Sequence, residues 1–217
     1  TGANISVRVS DEFMEAVKLG QRYEQRWPVD AIDPEISNKD LYAQEVWNEL
    51  IESAHGSAEP GVLFWDTAKK NTPSDIYEDY GFGSTSTNPC GEIILSPYDS
   101  CRLMLVNLTS FIQNPWTQEA YFEWGHFAEI VQKAQRLMDD MIDLEIEQID
   151  KIMNKIRNDP EPNSVKETEL SLWHKIRNAA AVGRRTGLGI TGLGDCIAML
   201  NQQYGDSESI KTTEEIY

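Results

Sequence analysis

The stretch Thr85-Ser86-Thr87-Asn88-Pro89-Cys90-Gly91-Glu92-Ile93-Ile94-Leu95 constrains this chain more than any other. It places an amide, a thiol and a carboxylate at positions i, i+2 and i+4. In extended backbone, side chains two apart point the same way, so Asn88, Cys90 and Glu92 would converge on one small volume. Pro89 and Gly91, in the gaps, offer little side chain to obstruct a ligand and fit a loop better than a regular strand. A second thiol follows at Cys101, so the region holds two of only three cysteines. A lone loop cysteine is more simply a small buried hydrophobe, and Asn-Pro is ordinary turn chemistry. The triplet together with Cys101 favours chemistry over packing.

Composition limits what that chemistry can serve. A chain of 217 residues, 40% hydrophobic and 25% charged, can bury a core of one domain or two. The formal net charge of −17 argues against binding a nucleic-acid backbone, which needs clustered Lys and Arg. A nucleotide can still be held by backbone amides and helix N-termini. No apolar run reaches the ~18 residues that span a bilayer, and no signal peptide is recognisable, so no membrane partner is expected. Three cysteines without CxxC spacing fit neither a disulfide scaffold nor a zinc site, so a reducing, cytoplasmic setting is expected and no metal ligands are assigned. In that setting the sequons at Asn4 and Asn107 are chance matches.

In chain order, Asn4 to Val9 alternates like a strand, directly after a first residue, Thr1, that is not methionine. A domain seldom starts inside a sheet, so a piece of a longer protein is expected. Ser10, with Asp11 and Glu12 behind it, reads as the cap of a helix through Leu19. Residues 20–37 read as irregular connection, and 38–55 as a helix carrying Leu41, Val46, Trp47, Leu50 and Ile51. Val62-Leu63-Phe64-Trp65 suits a buried strand, 66–87 a loop, and Leu103 to Leu108 a strand covered on both faces. Helices are expected over about 118–158, 164–182 and 192–201. Strands separated by helices indicate α/β.

Three other patterns compete. Gly187-Leu188-Gly189-Ile190-Thr191-Gly192 matches GxGxxG, but polar Arg184-Arg185 stands where a dinucleotide fold needs an apolar strand. Its glycines are read as close packing of a strand and a helix. Glu123 and His126 form E-x-x-H, yet a di-iron bundle needs a second copy, and the chain has only three histidines. Asp139, Asp140, Asp143, Glu145 and Glu147, interleaved with apolar residues, read as the polar face of an amphipathic helix.

At the central stretch the residues resemble a known family. "STNPCGEI", "PYDSC" and "VNL" are similar to the finger-loop region of ribonucleotide reductases, most of all the class II, adenosylcobalamin-dependent branch. "NISVRVSDEFMEAV", "EPGVLFWD", "AQRLMDDMIDLE" and "GRRTGLGITGLGD" extend the resemblance along essentially the whole chain. It implies an α/β fold: a partial segment of the family's ten-stranded α/β barrel with long helices. The finger loop would occupy about 84–101 and the helical region about 117–182. It further implies that Cys90 becomes a thiyl radical and removes the 3′ hydrogen of a ribose. Glu92 would be the base on the 3′ hydroxyl, Asn88 a hydrogen-bonding partner of the substrate, and Cys101 one of two thiols that end as a disulfide.

The implied partners are a ribonucleoside di- or triphosphate, complementary reductase segments and a thioredoxin-like or dithiol reductant. A homodimer is compatible with the family. The second redox cysteine belongs to an N-terminal segment this sequence does not include, and Cys196 does not match it; Cys196 is read as core. Turnover is therefore expected only when complementary chains complete the barrel. A non-catalytic reductase-like binding or regulatory module, or a fragment of a class I large subunit, are the alternatives.

Overall fold

A computed structural model describes residues 3–29 and 31–217. The chain start at Thr1 lies outside them. The fold is α/β, and the chain divides into two compact units, one ending at Pro97 and the other beginning at Tyr98.

In the first unit, β1 (Ser6–Val9) leads into α1 (Asp11–Leu19). Ser10 caps the helix as its sequence requires, its Oγ accepting the Phe13 N–H at 3.1 Å. Two strands follow, β2 (Arg22–Trp27) and β3 (Ile36–Tyr42), paired antiparallel. This ribbon replaces the irregular connection expected over 20–37 and delays the next helix, α2 (Ala43–Ser57). The acids that made the segment look like a loop work across the ribbon: Arg22 pairs with Asp40, and Ser37 Oγ donates to Glu24 at 2.6 Å. Strand β4 (Gly61–Phe64) lies parallel to β1. Residues 66–87 are more ordered than a loop, with α3 (Trp65–Asn71) and a 3-10 segment over Pro73–Tyr80. Two short strands, β5 (Ser86–Thr87) and β6 (Ile94–Leu95), pair antiparallel and carry the central motif between them. The unit's core is small: Val9, Phe13, Ala16 and Ala43, with Tyr23, Val46, Trp47 and Val62 against them.

The second unit opens with β7 (Leu103–Asn107), a 3-10 turn, and the short antiparallel pair β8 (Ile112–Gln113) and β9 (Tyr121–Phe122). Helix α4 (Trp124–Asn158) then runs unbroken for 35 residues and packs on α5 (Asn163–Gly183). Helix therefore begins at Trp124, later than about 117, because residues 114–120 are turns and β9 follows. Ala134, Met138, Ile142, Ile149, Met153 and Ile156 bury one stripe of α4, and Lys155 and Arg157 meet the negative end of its dipole. Strand β10 (Gly187–Thr191) pairs parallel with β7, and α6 (Leu193–Met199) and α7 (Ser207–Ile216) complete the unit. Helix α7 was not expected; Asp206 caps it, accepting the Ser209 N–H at 2.8 Å. The core gathers Val106, Leu108, Phe111, Ile112, Phe122, Ala134, Cys196 and Ile216.

Two readings change here. Strand β7 is covered on one face only: Val106 is buried, while Leu105 is 61% exposed. Two glycines of the GxGxxG match, Gly187 and Gly189, lie inside β10 and serve a neighbouring strand, while Gly192 precedes α6. A Cβ on Gly187 would come within 2.9 Å of Leu103 Cδ2, and one on Gly189 within 3.0 Å of Leu105 Cδ2. The leucines fold over the glycines, so the motif is a packing device of two strands. Among the described residues the strands form five two-stranded sheets.

Candidate active site

The segment from Asn88 to Ile93 is a turn, so the extended alternation that would point Asn88, Cys90 and Glu92 the same way holds no further than β5. The Gly91 N–H donates to Asn88 O at 3.0 Å and the Asn88 N–H to Ile93 O at 3.1 Å. Asn88 Oδ1 accepts the Ile93 N–H at 2.9 Å. Gly91 sits at φ +82, where a side chain would be strained, so Asn-Pro-Cys-Gly is the local chemistry of a tight reversal. Cys90, unpaired, is exposed at its tip, with Glu92 exposed beside it and Asn88 half-buried at its base. Asn88 is thereby partly committed: its carbonyl oxygen holds the turn and its NH2 group remains to donate.

The turn is anchored from below. The Ser84 N–H donates to Asp75 Oδ1 at 2.6 Å, Arg8 Nη1 donates to Thr85 O at 3.1 Å, and Ser96 Oγ donates to Phe82 O at 2.8 Å. Arg8 lies 4.8 Å above the Trp65 ring, which steadies the guanidinium. These residues were missed in the sequence, where Asp75 and Arg8 look like unremarkable polar positions.

Cys101 belongs to the second unit and is also free and exposed. Its immediate neighbours, Ser100 and Arg102, are not exposed. The Asp99 side chain is only 6% exposed and pairs with Arg185 Nε at 2.7 Å. The Arg102 side chain, 5% exposed, donates from Nε to Glu145 at 2.6 Å and from Nη1 to Arg185 O at 3.0 Å. The Gly187 N–H donates to Arg102 O at 2.9 Å, leading into the β7–β10 pairing. The acidic run on α4 is thus more than a solvated face. Glu145 receives Arg102, and Asp139 and Asp143 both receive Arg184. The legible signal was carboxylates four apart, together with an adjacent arginine pair elsewhere in the chain.

Cys196 is core, 0% exposed, and burial pushes its thiol up to about 11. Such a thiol is inert at neutral pH. Glu123 precedes the first residue of α4, and His126 packs its ring 5.4 Å from Phe111. No group of three or more His, Cys, Asp or Glu suited to a metal ion occurs among the described residues. Among the described residues, no helix is long and apolar enough to cross a membrane.

Comparison with known proteins bears on this arrangement. Residues 1–217 match the family described as ribonucleotide reductase, barrel domain. The chain is 28% identical over 215 residues to a vitamin B12-dependent ribonucleoside-diphosphate reductase of Thermoplasma acidophilum, covering 98% of this chain and 23% of that protein. A protein of the same name from Mycobacterium tuberculosis is 27% identical over 211 residues, 96% of this chain and 25% of the relative. The vitamin B12-dependent ribonucleotide reductase of Rhodopirellula baltica is 30% identical over 127 residues, 58% of this chain and 11% of the relative. The chain thus spans about a quarter of the length of the first two relatives.

Proposed function

On the premise that this chain belongs to the ribonucleotide reductase barrel-domain family, we propose that it carries the radical thiol of an enzyme reducing ribonucleotides to deoxyribonucleotides. The observation behind this reading is the free, exposed Cys90 at the tip of a tight turn, with Asn88 and Glu92 on either side. Cys90 removes the 3′ hydrogen of the ribose as a thiyl radical and later returns it. Glu92, exposed beside it, takes the proton of the 3′ hydroxyl. Asn88 donates from its free NH2 group to the substrate's hydroxyls. Cys101 is one of two thiols oxidised to a disulfide as the 2′ hydroxyl leaves as water, so that two thiols and one ribonucleotide give one disulfide, one deoxyribonucleotide and one water.

The names of the relatives, vitamin B12-dependent or adenosylcobalamin-dependent, support adenosylcobalamin as the cofactor, over the class I alternative. The chain fits that group in one respect that can be tested on its residues. A corrin brings its own ligands to cobalt and asks of this chain an accessible thiol, which Cys90 supplies. When bound, the cofactor would supply the radical; position and proton transfer come from the protein. The remaining partners follow from the same reading: complementary segments that complete the barrel, a thioredoxin-like or other dithiol reductant, and a second copy in a homodimer. The three free cysteines support a reducing, cytoplasmic setting. The first two relatives' names make a ribonucleoside diphosphate the first substrate to try.

The test combines this chain with the complementary segments, adenosylcobalamin, a ribonucleoside diphosphate and a dithiol. Deoxynucleotide is expected, with none detectable for Cys90→Ser. Appreciable product from that variant would overturn the reading and favour a non-catalytic module.

A further inference from the structure

The turn that carries Cys90 cannot hold itself. Its ladder has two residue pairs, Ser86 with Leu95 and Thr87 with Ile94, and an isolated hairpin that short is not stable in water. What fixes its base is a set of side chains from three other places in the same unit: Arg8 of β1, Asp75 of the 3-10 segment, and Ser96 beyond β6. Asp75 makes the shortest of these contacts, and it makes it to the backbone just before β5, where a shift is passed directly to the tip.

We propose that Asp75 is a positioning residue for Cys90, acting through the Ser84 amide to fix the root of the turn. The inference rests on the radical role given to Cys90 above.

Two observations set Asp75 apart from an ordinary polar residue. Its second oxygen, Oδ2, is enclosed without a hydrogen-bond partner, as are the hydroxyls of Ser74 and Ser84. Leaving buried acceptors unmet is costly, and a carboxylate kept in such a place serves a requirement that packing alone does not impose. The carboxylate also keeps its charge. Burial works against ionisation, yet the Ser84 N–H, together with Lys69, holds it below the usual range. An ionised acceptor makes the stronger, more directional bond that positioning needs.

Hydrogen exchange on the full chain tests the anchor, and turnover in the completed assembly tests its purpose. In Asp75→Ala the amides of Gly91 and Ile93 should exchange about tenfold faster, while those of β1 and β4 are unchanged. Asp75→Asn retains an oxygen for the Ser84 N–H and should restore most of the protection. In the assembly Asp75→Ala should lower kcat more than it raises KM, since it displaces Cys90 and Glu92, which act in the chemical step, more than it alters ground-state binding. Should Asp75→Ala fail to fold, Arg8→Met supplies the same readouts through Thr85. Unchanged exchange at Gly91 and Ile93, or faster exchange with kcat unaltered, overturns the proposal. Activity surviving in Cys90→Ser would instead overturn the radical reading and leave the exchange result standing.

Discussion

Around Cys90 the chain is held by hydrogen bonds to backbone amides and carbonyls, from Asn88 within the turn and from Arg8 and Asp75 beneath it. The Asn88 amide closes the turn, and two short strands carry it. Around Cys101 it is held by buried charge, with Asp99 and Arg102 drawn inward on either side of an exposed thiol. Hydrogen bonds to backbone amides cost little to break and reform, so such a turn can adjust to a ligand. A buried guanidinium cannot leave its carboxylate without stranding a charge, so that segment is held in one place. The contrast matches the work assigned to each thiol. In the proposed role, one would approach a substrate carbon, and the other would meet a partner sulfur at bonding distance.

The contrast can be broken at either end. The largest effect is expected from Glu145→Ala, which leaves Arg102 buried without its carboxylate. A loss of about 3 kcal/mol is expected, tempered by the partial exposure of Glu145, and urea unfolding followed by helix content would measure it. Asn88→Ala should cost less, about 1 kcal/mol, through the lost bond to the Ile93 N–H. Its signature is local: faster exchange at Ile93, with the unfolding midpoint of the α4–α5 region unmoved. If Asn88→Ala instead unfolded α4, the two mounts would not be separate.

Acid should act on both more gently, since Asp75 beneath the Cys90 turn and carboxyls of α4 are all held below their usual range. The Arg184 hydrogen bond holds Asp139 below its usual carboxylate range, and Arg177 does the same for Asp150. A depressed carboxyl stabilises the fold above its unfolded value and loses that contribution as pH falls through the folded one. Circular dichroism should therefore show α4 and α5 loosening only below the ordinary carboxylate range. The Asn88 amide has no proton to gain over the same interval. Loosening near neutral pH would contradict the assignment.

How much of this could be read from residues alone follows the same division. Helix α1 was legible because Ser10, Asp11 and Glu12 announce a cap, and α4 because its apolar stripe persists for many turns. Cys196 was legible as core. The β2–β3 ribbon was not, since its strands are charged on faces that bury nothing and present no alternation. The motif at Asn88 to Glu92 singled out the thiol on which the proposal rests, but it misdirected its geometry. Residue spacing assumes a backbone state, and Gly91 in the left-handed region selects another. Asp75, Arg8 and Arg102 stayed hidden for a different reason. Their partners lie far along the chain, and no local pattern encodes a distant carbonyl or carboxylate.

The parallel pairing of β7 with β10 has a consequence in time. The contact from Arg102 to Arg185 spans 83 residues, and closing a flexible loop of that length costs on the order of 4 kcal/mol in chain entropy. Most of the intervening chain is the antiparallel pair α4 and α5, whose turns form from neighbours in microseconds and carry the two ends back towards one another. The helices thus act as a splint, and the strands register after them. The segment bearing Cys101 is then among the last parts of its unit to take shape, and its thiol is presented only once the long helices have found each other.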